Sequence, residues 1–112
     1  MNVMKAFKKS GYSREVADQY IDSSKPVTYV TSFVEKQYKY EDNRRTDEVS
    51  GYRYWFFQEG LNPFQVKFPK ELNEGLNPFD ELAFDGLEGI EIRGNVYFRA
   101  NDVKPAKGKS NG

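Results

Sequence analysis

From Val27 the chain alternates. VTYVTSFVEKQYKY, residues 27–40, is rich in β-branched and aromatic side chains and has neither Gly nor Pro over fourteen positions. Side chains two apart share one face of a pleat, so this spacing predicts a single long strand. Residues 41–50 are polar and charged apart from Val49 and read as a loop. YRYWFFQ (52–58) resumes the β pattern, which makes 27–58 a hairpin. The turn cluster EGLNP then leads into FQVKF, where Phe64, Val66 and Phe68 alternate with Gln65 and Lys67 in a third strand stopped by Pro69. Residues 70–86 are acidic and irregular, with FDELAF offering at most a turn or two of helix. IEIR and VYFRA flank Gly94 and Asn95, a two-residue connection that signals a tight hairpin of strands four and five.

Helical spacing occurs only before the strands. In SREVADQYID, residues 13–22, Ser13 is a candidate N-cap, Glu15 lies in the first turn, and Val16, Tyr20 and Ile21 fall on one face. Pro26 ends the helix, and Val3, Met4 and Phe7 allow a further amphipathic turn over 1–9. The Lys-, Gly- and Ser-rich end reads as a mobile basic tail. The organisation is therefore a helical appendage over 1–26, one β domain over 27–104 and a tail over 105–112. EGLNPF occurs twice, at 59–64 and 74–79, and reads as two turns leading into strands, with Leu61 and Leu76 as plugs and Phe64 and Phe79 in the core.

Composition removes most enzyme chemistry. The 112 residues contain no Cys and no His, which excludes thiol nucleophiles, imidazole proton transfer, Ser-His-Asp triads and Cys or His zinc sites. No phosphate-cradling glycine motif and no RNP-type aromatic signature is present. The sequence is therefore expected to be non-enzymatic, without cofactor or metal. Its apolar runs are too short to cross a bilayer, so a cytoplasmic protein with no membrane partner is expected. Net charge is zero, yet 1–26 carries +2, 27–58 is neutral, 59–92 carries −6 and 93–112 carries +4. The acids Asp80, Glu81, Asp85, Glu88 and Glu91 read as a solvated face.

Aromatic placement changes the picture more. Tyr29, Phe33, Tyr38, Tyr40, Tyr52, Tyr54, Trp55, Phe56 and Phe57 all fall in the first two strands, and alternation forbids them from sharing one core face. Tyr52, Tyr54 and Phe56 lie on one side of the second strand and Arg53, Trp55 and Phe57 on the other. Aromatics beside cations are what a single-stranded nucleic acid needs, since bases stack on rings while Lys and Arg follow the phosphates. The candidate stacking residues are Tyr38, Tyr40, Tyr54, Trp55 and Tyr97, with Lys36, Lys39, Arg44, Arg45, Arg53 and Arg99 as phosphate contacts. Core packing and cross-strand Tyr pairing are the competing explanation for any one ring.

Three strands, an irregular connector and two strands predict a mainly β domain that looks like a small five-stranded OB-fold barrel with a short N-terminal helical segment. TYVTSFVEKQYKY, GYRYWFF after a charged loop, FQVKFP and IEIRGNVYFRANDVKP together resemble the small OB-like single-stranded DNA-binding proteins of conjugative plasmids and integrative elements of Gram-positive bacteria. That resemblance implies handling of displaced single strands during plasmid replication or transfer, with DNA as partner before RNA. The neutral charge and the helical segment depart from it. The alternative is a protein-interaction accessory module of a phage or plasmid that docks through the same aromatic surface or through the acidic 70–91 region. Open edge strands also allow a homodimer by strand pairing.

Overall fold

The computed structural model describes residues 11–30, 34–72 and 76–106. Over these residues it is mainly β, with one helix, α1 (Arg14–Tyr20), and eight strands: β1 (Val27–Tyr29), β2 (Glu35–Glu41), β3 (Arg44–Phe57), β4 (Phe64–Phe68), β5 (Glu81–Asp85), β6 (Glu88–Ile92), β7 (Asn95–Arg99) and β8 (Asp102–Pro105). The expected turn over 1–9 and the tail beyond Ala106 lie outside the described residues.

Ser13 caps α1 as its residue type predicts. Its backbone is extended and its hydroxyl oxygen accepts the Val16 N–H at 3.1 Å. The buried side is Ala17 and Ile21, whereas Tyr20 is exposed. Ser13 and Gly89 exchange two backbone hydrogen bonds of 2.9 Å, which fixes the start of α1 to the edge of β6. Gly89 permits this approach, because a Cβ there would sit 3.2 Å from the Ala17 nitrogen and 3.3 Å from the Phe98 ring. Beyond the helix, buried Gln58 donates to Asp22 O at 2.8 Å and accepts from Asp22 N at 3.0 Å.

The strands form one sheet in the order β6-β7-β4-β3-β1-β5-β8, with β2 also paired to β3. All ladders are antiparallel except β4 with β7. A flat sheet would hold β5 about 14 Å from β4, three spacings of ~4.8 Å. The Phe84 ring instead lies 6.4 Å from Phe64 and 6.3 Å from Phe68, so β5 curls back over β4. Phe56, fully buried and 4.9 Å from Phe84, is the hub of this core. The sheet remains open, with β6 and β8 at its two ends. The expected five-stranded OB-like barrel is thus corrected to an open, curled sheet with eight described strands.

The expected fourteen-residue strand is two. β1 and β2 follow the same edge of β3, but the register slips by three residues between Tyr29↔Phe56 and Glu35↔Arg53. The expected loop over 41–50 is mostly strand: Asp42 and Asn43 take positive φ, 51° and 65°, and make the two-residue turn joining Glu41 to Arg44. That ribbon projects with both faces wet, so it is polar on both sides and shows no period of two. ELAFD is β5, not helix, because Leu82 pairs with Val27 on the second edge of β1 and tertiary pairing outweighs local propensity. The last hairpin is present, but its turn is Arg93 and Gly94 at φ 52° and 85°, leaving Asn95 paired with Ile92. In the repeat, Leu61, Leu76 and Phe64 pack on the core as expected. Phe79 does not: it is 76% exposed.

Candidate nucleic-acid interface

β3 decides which aromatics face water. Tyr52, Tyr54 and Phe56 point to the core, while Arg53, Trp55 and Phe57 lie on the outer face. Tyr54 is only 3% exposed, its ring packs on Phe68, and its hydroxyl accepts the Leu72 N–H at 2.9 Å. Burial raises its pKa above the usual tyrosine value. Tyr54 is therefore a core residue and leaves the stacking set.

Register then carries the outer face across three strands. Arg53 stands opposite Lys67 and Trp55 opposite Gln65, and Lys67 stands opposite Arg99 on β7. Trp55, 39% exposed, and Tyr97, 41% exposed, flank a cleft of about 360 Å³ whose lining also includes Tyr12, Arg53, Gln65 and Lys67. Arg99 borders it: its guanidinium lies 4.0 Å from the Tyr12 ring centroid and donates through Nε and Nη2 to Glu88 Oε1 at 2.9 and 2.8 Å. Gln65 donates to Glu35 at 3.1 Å and lies 3.5 Å from Arg53 Nη1. Among the described residues neither Arg53 nor Lys67 forms an ion pair, so both charges are available to a ligand anion.

The sequence-predicted site thus divides. Arg53, Trp55, Tyr97 and Arg99 gather on the outer face, whereas Lys36, Tyr38, Lys39, Tyr40, Arg44 and Arg45 sit on the β2–β3 ribbon. On the ribbon, Arg45 lies 4.7 Å over Tyr38, Lys39 pairs with Glu48 at 3.1 Å, and Tyr40 is 67% exposed. Its four cations share the ribbon with five carboxylates, Glu35, Glu41, Asp42, Asp47 and Glu48. Tyr12, Gln65 and Lys67 were missed. Gln65 and Lys67 are visible as the polar positions of FQVKF, but only the β3–β4 register puts them beside Arg53 and Trp55. Tyr12 gives no sequence signal, since it precedes the helix cap and reaches the cleft through the Ser13–Gly89 bridge.

Among the described residues no helix is long and apolar enough to cross a membrane. Comparison with protein-family models, with curated proteins and with solved structures found no match.

Proposed function

We propose that this chain is a non-enzymatic protein that binds single-stranded nucleic acid in the cleft on the outer face of β3, β4 and β7. One observation carries the reading: strand register brings Trp55, Tyr97 and Tyr12 together with Arg53 and Lys67 around one concavity. Rings of that exposure accept unstacked bases, and cations that form no ion pair among the described residues can accept phosphates. Bases inside a duplex are stacked on each other and do not reach such rings. DNA is placed before RNA on the resemblance alone, as is a role in handling strands displaced during plasmid replication or transfer.

A labelled oligo-dT of about 15 bases, long enough for the usual site sizes, should bind the protein and be released as salt rises. Trp55→Ala should weaken it by about 1–3 kcal/mol, the worth of one stacked base. Equal affinity for the matching duplex, or an unchanged affinity in a folded Trp55→Ala protein, contradicts the reading.

The protein-interaction reading rests on Phe79. It is the most exposed aromatic described, and it follows Pro78 at φ 74°, in the turn closed by Asp80 N–H to Asn77 O at 3.1 Å. A bulky apolar knob held in that conformation suits a partner's pocket. If no oligonucleotide binds and Phe79→Gly abolishes capture of a protein partner, this second reading replaces the first.

A further inference from the structure

The Trp55 cleft does not end at Lys67. Tyr12 and Lys67 also line a second, larger cleft of about 550 Å³ that continues past Arg99 to Ser50 and Asn101. The two clefts follow the only parallel ladder in the described sheet, β4 beside β7, which Ala100 N–H prolongs by donating to Lys67 O at 3.0 Å. Their linings differ in chemistry. The first is aromatic; the second offers the hydroxyl of Ser50 and the amide of Asn101, and Lys67 stands between them. Among the described lining residues the one carboxylate is Glu88, which pairs with Arg99.

We infer that one nucleic-acid strand runs through both clefts along β4 and β7, its bases on Trp55 and Tyr97 in the first and its phosphates carried past Lys67 and Arg99 into the second. From the level of Gln65 and Tyr97 to that of Pro69 and Asn101 is four residues of strand, about 13 Å at ~3.3 Å each. A stacked strand rises ~3.4 Å per nucleotide, so the track holds up to about four, the upper limit for a strand whose bases are splayed onto rings. This rests on the nucleic-acid reading and adds the site size, the path and a second subsite.

The test is a length series of oligo-dT from two to about six bases, followed by Trp55 emission at about 0.15 M salt. Affinity should rise at least about ten-fold from two bases to five and then level off, as expected for a site of roughly four nucleotides. Asn101→Glu puts a carboxylate in the second cleft, farther from Trp55 than the ~8 Å screening length. It should remove most of the gain with length, while two bases still quench Trp55. A parent protein with no gain beyond two bases, a result that needs no variant to fold, overturns the track. So does an Asn101→Glu protein that keeps the full gain. In both cases quenching of Trp55 leaves the binding reading standing, whereas no quenching at any length overturns both.

Discussion

Tyr54 and Trp55 are neighbours in sequence with opposite roles, and the pleat alone separates them. Tyr54→Phe leaves the Leu72 N–H without its acceptor, and that amide belongs to a buried residue. The expected cost is about 1–3 kcal/mol of stability by denaturant titration, with no change in oligonucleotide affinity. A loss of affinity without loss of stability would return Tyr54 to the site. Phe79 behaves in the reverse way. A non-glycine residue in the left-handed region costs about 1–2 kcal/mol, and Phe79 is too exposed to recover that by packing. Phe79→Gly should therefore raise stability by about 1 kcal/mol; destabilisation would show that the ring packs after all. Sequence alternation correctly gave the two face sets of β3, but it carries no sign that says which face meets the core. That sign comes from β4, whose buried Val66 stands opposite Tyr54.

Elements were legible in proportion to how much of each one faces both core and water. FQVKF alternates cleanly because one side is core and the other is cleft, and β4 has the expected bounds. The β2–β3 ribbon is wet on both sides, so its strands carry no period and resemble a loop. ELAFD has a helix-like composition and becomes a strand only because β1 offers a free edge. The docking of α1 is similarly tertiary, and it depends on Gly89. Gly89→Ala places a methyl 3.2 Å from the Ala17 backbone, and overpacking of this kind should cost about 1–3 kcal/mol. Because Tyr12 enters the cleft beside that bridge, the same variant should weaken oligonucleotide binding; unchanged binding would exclude Tyr12 from the site. For the ribbon, Arg44→Ala with Arg45→Ala should change affinity far less than Arg53→Ala with Lys67→Ala, since its four cations share the ribbon with five carboxylates. The reverse ranking would move the site onto the ribbon.

At the scale of the molecule, zero net charge and an interaction surface for a polyanion are compatible because charge is distributed by the fold. Among the described residues Arg53 and Lys67 reach the cleft without an ion pair, Glu35 opposite Arg53 being held by Gln65, while Arg99 brings Glu88 with it. Two to three phosphate contacts on a single strand imply a log-log salt slope of about −1.4 to −2.1, shallow beside that of a strongly basic protein. A slope near zero would remove phosphate contact from the account. The curled, open sheet is what exposes this face, and its closure was the one global feature that strand counting misjudged: five strands suit a small barrel, but the eight described strands end in β6 and β8, which do not pair with each other. The most direct measurement is the emission of Trp55, the sole tryptophan, during titration with oligo-dT and with the matching duplex at low and near-physiological salt. Saturable quenching by the single strand, weakened by salt and absent with duplex, is the predicted result. Oligonucleotide binding seen by another probe with Trp55 emission unchanged, or no binding at all, would contradict the claim that this cleft is the site.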